Sequence, residues 1–322
     1  MTLTSVAIAN LTSVAVLVFV LGFIGARIKS DLRIPEPAYQ LISIFLLFGI
    51  GLKGGHALKE SSLESFALPA LATLALGVVI PLLAFAGLRL VRSISDVNRG
   101  AIAAHYGSTS LVTFSAALLF LESSGIRVEG FATALLTIME IPGIVVGIYL
   151  GSRHRAKNVQ WSKTLHEVIT GRTILLLVGG LVIGVITSQT GYEKVTPFFV
   201  DLQSGLLALF LLHLGFLAGS SWGEIRKVGG GVAIFALLFP VVAGTLGVAV
   251  GTAVGLSIGG ATMLGVLCAS ASYIAAPAAV AVGLPETNAP LALMASIGVT
   301  FPFNLLAGIA IYLEVAKLLA GA

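Results

Sequence analysis

Glu140 stands out chemically in this sequence, because it is an acid in the middle of an apolar run, with Ile141 and Pro142 directly after it. A carboxylate at bilayer depth is costly unless it is paired, protonated or bound to a cation. No Lys or Arg lies inside an apolar run to pair with it, so its expected partner is Na+ or a proton. Two hydroxyl-rich clusters sit at similar depth. One is Gly107, Ser108, Thr109 and Ser110, followed by Thr113 and Ser115; the other is Ser270, Ala271, Ser272 and Tyr273, followed by Pro277. Small hydroxyl residues and proline suit a broken helix, whose freed backbone groups must find partners where water is absent. The N-terminus of a half-helix presents N–H groups at a positive dipole end, which fits a small anion. The same hydroxyls also serve as packing glue between membrane helices; their recurrence at two matching places is what points to a site. Histidine is less informative. His105 and His213 suit either titration or helix packing, His56 is expected in a loop, and none has metal-ligand spacing.

Elements that could place such groups must cross a membrane. The chain has 322 residues, 57% of them hydrophobic and 10% charged, against roughly 25% charged in a soluble domain. Divided at its charges, it yields apolar runs over residues 1–26, 37–52, 65–88, 100–121, 130–152, 173–192 and 202–223. The uncharged stretch 228–285 is long enough for two spans with a tight turn near Gly259 and Gly260, and 287–313 is the last run. At about 20 residues per crossing, this is an all-α integral membrane protein of about ten transmembrane helices, the fourth and ninth broken. The first run precedes its positive charges, Arg27, Lys29 and Arg33, and is expected to be a retained span rather than a cleaved signal. The single cysteine, Cys268, excludes an intrachain disulfide or a thiolate metal cluster. No basic run is dense enough to track nucleic-acid phosphates.

Of the 18 Lys and Arg residues, only Lys53, Lys59, Arg127, Lys194 and Lys317 fall on the side of the N-terminus and the even-numbered loops. The positive-inside rule then makes the opposite side cytoplasmic, in the plasma (inner) membrane, with both termini outside. The chain also repeats. Pro81 aligns with Pro240, the Ser108 cluster with the Ser270 cluster, and Ile141-Pro142 with Phe301-Pro302, all at a near-constant offset of about half the chain. Residues 1–152 and 171–322 are thus expected as two five-helix repeats joined by a cytoplasmic linker, 153–170. An odd number of spans per repeat inverts one against the other, the signature of secondary transporters.

Residues 33–36 (Arg-Ile-Pro-Glu), 51–55 (Gly-Leu-Lys-Gly-Gly), 139–142 (Met-Glu-Ile-Pro) and the stretch 269–285 resemble the sodium-dependent bicarbonate transporter family known from cyanobacteria, and the similarity runs over nearly the whole chain. The resemblance implies a core domain sliding against a gate domain, a homotrimer, and bicarbonate and sodium sites between the broken fourth and ninth helices. By position, Ser110 and Thr113 match the family's fourth-helix hydroxyls, Ser270 and Ser272 its ninth-helix serines, and Glu140 an acid that is usually Asp. Two positions depart: Tyr273 stands where the family has Asp, and Ala281 where it has Arg. Glu140 is then left as the carboxylate for a cation. A PII-like regulator on the cytoplasmic face is a partner the resemblance raises, although the linker here is shorter than in those proteins.

Together these features lead to a non-enzymatic symporter importing bicarbonate or a similar small anion with sodium as coupling ion. The expected anion site comprises Gly107, Ser108, Thr109, Ser110, Thr113, Ser270, Ala271, Ser272 and Tyr273, with backbone N–H groups near Ser110 and Ser272. The expected cation site comprises Glu140 with Ser110 and Ser272. A proton- or sodium-coupled carrier of another organic anion is the alternative within transport; a membrane sensor or intramembrane enzyme is the alternative outside it.

Overall fold

The computed structural model describes residues 8–153, 159–220, 222–225 and 229–321. His154, Arg155 and Lys157 of the expected linker, and Arg226 and Lys227 of the charge count, lie outside the described residues.

Serine sets where many of the helices begin. Ser13, Ser62, Ser95, Ser110, Ser188 and Ser257 each accept the backbone N–H three residues on, satisfying a donor that lipid cannot. The helices are α1 (Val14–Arg27), α2 (Glu36–Lys59), α3 (Leu63–Leu88), α4 (Asp96–Gly107), α5 (Leu111–Ser123), α6 (Ala132–Ser152), α7 (Trp161–Thr170) and α8 (Arg172–Ile186). They continue with α9 (Gln189–Ser220), α10 (Gly230–Ala253), α11 (Ile258–Ala269), α12 (Ala276–Gly283) and α13 (Ala289–Ala320). Helices α9 and α13 contain π-helical turns, at Pro197–Asp201 in the first and at Met294–Thr300 and Asn304–Gly308 in the second. Among the described residues there is no strand.

Seven helices, counting α4 and α5 as one, are long and apolar enough to cross a membrane. An eighth is added if α7 and α8, bent by 51°, form one crossing, while α1 and α11 are shorter apolar helices. Helix α1 packs along α9 and α2 along α8. A second group surrounds the two breaks, with α4 and α6 in close contact, α3 against both, and α10 against α11. In the α4–α5 span 89% of the apolar window is buried, against 17% for α9. The hydroxyl-rich break therefore lies at the centre of the molecule and α9 at its edge.

Several boundaries differ from expectation. The turn inside 228–285 falls at residues 254–257, where Gly255 takes φ +84° and Ser257 caps α11. Gly259 and Gly260 are instead inside α11, because the loop before α6 lies on them: a Cβ on Gly259 would meet the Arg127 carbonyl, and one on Gly260 the Glu129 carboxylate. The expected sixth span ends early, at Ile186, because Ser188 caps a new helix through the Gly191 N–H. His56 is a residue of α2 rather than of a loop; its ring stacks on Tyr192 with centroids 3.8 Å apart. The linker region carries α7, whose Val168 shares an apolar cluster with Ile148 of α6, Ala276 and Val280 of α12, and Leu284 just after it.

Candidate functional site

Helix α4 ends at Gly107, where α6 lies directly against it. A Cβ on Gly143 would lie 1.8 Å from the Gly107 carbonyl oxygen, so only two glycines allow the helices this close. One turn earlier in α6 stands Glu140, and the close approach sets Ser108 and Thr109 on its carboxylate. Ser108 Oγ donates to Oε2 at 2.5 Å, Thr109 Oγ1 donates to Oε1 at 3.0 Å, and the Thr109 backbone N–H adds a third bond. Glu140 is 1% exposed. Among the described residues it is the one buried acid, and no Lys or Arg is buried. The chain resumes as α5 with Ser110 as cap: Ser110 Oγ accepts from Thr113 N (3.2 Å) and Thr113 Oγ1 (2.9 Å).

The second break, residues 270–275, crosses the first. The Ser110 N–H donates to Ser270 Oγ at 2.9 Å, and Ser110 Oγ donates to the Tyr273 hydroxyl at 3.3 Å. The Ser272 N–H donates to the His105 carbonyl at 2.7 Å, and His105 Nδ1 lies 2.7 Å from the Ser272 carbonyl. Ser272 Oγ then accepts from Ala275 N and Ala276 N, starting α12. The carbonyl at the end of α11, Ala269, accepts from Asn304 Nδ2 at 2.8 Å, and Tyr312 OH donates to Asn304 Oδ1 at 2.9 Å.

Where the two breaks and α6 meet, a cavity of about 10 Å³ is lined by Thr109, Ser110, Leu111, Glu140, Thr173, Ser272, Tyr273, Ile274 and Ala275. That is room for about one water, or for a bare cation of similar size. Beside it lies a larger cavity of about 210 Å³ with Glu167 and Arg172 on its wall. The two share Thr173, Ile274 and Ala275, which form the partition between them.

Of the residues singled out by sequence, Thr109, Ser110, Glu140, Ser272 and Tyr273 line this cavity together. Ser108 reaches it through Glu140, and Thr113 and Ser270 hold Ser110 in place. Gly107 contributes close packing against Gly143 and Pro81, and Ala271 is buried. The backbone donors differ from expectation. The N–H groups of Ser110 and Ser272 are already bonded to Ser270 and His105; those of Leu111 and Val112, first and second in α5, have no intrahelical acceptor. Sequence reasoning passed over Thr173 and Asn304. Thr173 resembles any threonine at a helix start, but Asn304 is an amide in an apolar run, and an unpaired amide there is costly. That signal was available.

Among the described residues no three His, Cys, Asp or Glu side chains form a metal cluster. The groups gathered here are instead hard oxygens around one carboxylate, a donor set whose chemistry suits an alkali cation. A comparison with curated proteins finds no match. Residues 14–317 match the family described as the Na+-dependent bicarbonate transporter superfamily, and the chain belongs to that superfamily of membrane transporters.

Proposed function

We propose that this protein carries bicarbonate, or a similarly small anion, into the cell together with Na+. The observation carrying this reading is Glu140, a buried carboxylate held by three donors and facing the cavity where two broken helices cross. Na+ binds Glu140 with hydroxyl and carbonyl oxygens of the breaks, and the anion lies against the first N–H groups of α5. Coupling follows from charge. A bare Glu140 repels an anion about 4 Å away by about 4 kcal/mol at an effective dielectric of about 20, and Na+ on the carboxylate cancels that repulsion. Each ion raises the affinity for the other.

The pairing of α1 with α9 and of α2 with α8 supports a gate made of those four helices, with the remaining spans as a core that moves as an elevator. In this reading α1 and the α11–α12 pair complete ten crossings, residues 1–152 and 171–322 are inverted repeats, and both termini lie outside the plasma membrane. A homotrimer and a PII-like partner on the cytoplasmic face complete it; native mass spectrometry of the solubilised protein, with and without that partner, tests both.

Uptake of labelled bicarbonate into proteoliposomes, with Na+ gradients against equal K+ gradients, tests the function. Uptake should require inward Na+ and fall with competing bicarbonate. Uptake driven equally by a proton gradient, or competed only by organic carboxylates, would overturn it.

A further inference from the structure

We propose that His105 is a positioning residue of the transport site: it grips the Ser272 peptide from both sides and so sets the second broken helix against the first. The proposal rests on the transport reading above. It starts from an accounting of backbone groups. A break in a buried helix leaves peptide N–H and C=O groups without helical partners, and bulk water is not there to take them. At Ser272 both groups are satisfied by one residue 167 positions away: its N–H donates to the His105 carbonyl, and its carbonyl lies 2.7 Å from His105 Nδ1. A carbonyl only accepts, so Nδ1 carries the proton. Ser296 Oγ, whose own proton goes to the Ala292 carbonyl, stands 3.5 Å from the same nitrogen and is placed to accept as well. The ring is 2% exposed, and its contacts through Nδ1 hold the imidazole in one orientation.

The consequence reaches the ions through Ser272. With its peptide held by His105, its hydroxyl is left to cap Ala275 and Ala276 and so start α12. Ser272 and Tyr273 line the same cavity as Glu140 and Ser110, and Tyr273 reaches Ser110 directly. His105 is not among the residues lining that cavity; its effect on binding passes through Ser272. Loss of the imidazole N–H orphans the Ser272 carbonyl and lets the second break shift relative to Glu140, which weakens binding of both ions.

The test compares His105→Leu and His105→Asn with the wild type in proteoliposomes, reading half-saturation for Na+ and for bicarbonate separately from maximal rate, with reconstituted protein quantified. Asn places an amide N–H where Nδ1–H stands. His105→Leu is expected to raise both half-saturation constants about tenfold, the effect of one unsatisfied buried carbonyl, and His105→Asn to return them to within about threefold of wild type. Unchanged half-saturation with only a lower maximal rate or yield would mean a purely structural role and overturn the proposal. So would a His105→Asn protein as impaired as His105→Leu. If His105→Leu does not reconstitute, His105→Gln, whose amide reaches the position of Nε2 rather than Nδ1, takes its place: the same tenfold rise is expected, and unchanged half-saturation constants would overturn the proposal. A wild-type protein without Na+-driven uptake would refute the transport reading instead, so the two failures are distinguishable.

Discussion

Replacing Glu140 by Gln removes the charge while leaving shape and most hydrogen bonding in place. Ser108 Oγ and Thr109 Oγ1 both donate to the carboxylate. A hydroxyl can also accept, so one of the two can turn to take a proton from the new amide, and the break keeps its course. What is lost is attraction for a cation. For a unit charge about 4 Å away, the interaction is about 4 kcal/mol at an effective dielectric of about 20, close to three decades in affinity at about 1.4 kcal/mol per decade. The repulsion that keeps an anion out of the sodium-free site disappears with the same substitution. Glu140→Gln is therefore expected to lose sodium dependence and to keep weak, sodium-independent bicarbonate binding. The assay is initial uptake across a Na+ series, with choline replacement holding ionic strength constant, alongside thermal shift with bicarbonate in the absence of Na+. Sodium-driven uptake with an unchanged half-saturation constant would refute the assignment of Glu140 to the cation.

Ser108→Ala removes the shorter of the two hydroxyl bonds to the carboxylate; a bond to a charged group is worth about 1.5–3 kcal/mol, so the Na+ half-saturation constant should shift by about tenfold or more in the same uptake series. Gly143→Ala sets a Cβ against the Gly107 carbonyl and should destabilise the fold by about 1–3 kcal/mol, read as a lower melting temperature in detergent; an unchanged melting temperature would mean α4 and α6 are not in close contact. Tyr273→Phe removes one hydroxyl contact to Ser110 and should cost about 0.5–1.5 kcal/mol by the same measurement. A cysteine at Ala278, on the wall of the larger cavity, should react with an impermeant thiol reagent from the cytoplasmic face and not from outside, against the buried Cys268 as background; labelling from outside would reverse the orientation inferred from the charges.

Seven long apolar helices of the expected ten were readable from sequence because an apolar run of sufficient length is a local property. The breaks were readable for the same reason, since serine caps act within three residues of themselves. Other features depended on distant parts of the chain. Gly259 and Gly260 suit a turn as well as a packing face, and only the loop carrying Arg127 and Glu129 decides between them. The ends of α8 and α9 meet at Thr187 and Ser188, where no charge marks a boundary. His56 looked loop-like beside Lys53, Lys59 and Glu60 because its ring partner, Tyr192, is far along the chain. His105 offered no spacing motif; its meaning comes entirely from Ser272.

The bonds differ in kind across the molecule, and that difference bears on which parts move in the proposed elevator. Ser110 to Ser270, Ser272 to His105 and Asn304 to Ala269 are buried hydrogen bonds. Breaking any of them exposes polar groups to a dry interior, at about 1–3 kcal/mol each. The two breaks therefore favour travelling together, with Glu140 between them. Between α2 and α5 the link is an ion pair, Lys53 to Glu122 at 3.1 Å, with side chains 35% and 48% exposed. Such a pair is worth about 0–1 kcal/mol, and cavities of about 440 and 210 Å³ open on it. The polar link across the α2–α5 seam is thus one half-exposed ion pair, whereas separating the breaks from each other costs several buried bonds. In the proposed elevator the two breaks and Glu140 would therefore move as one body, with the ion site kept intact.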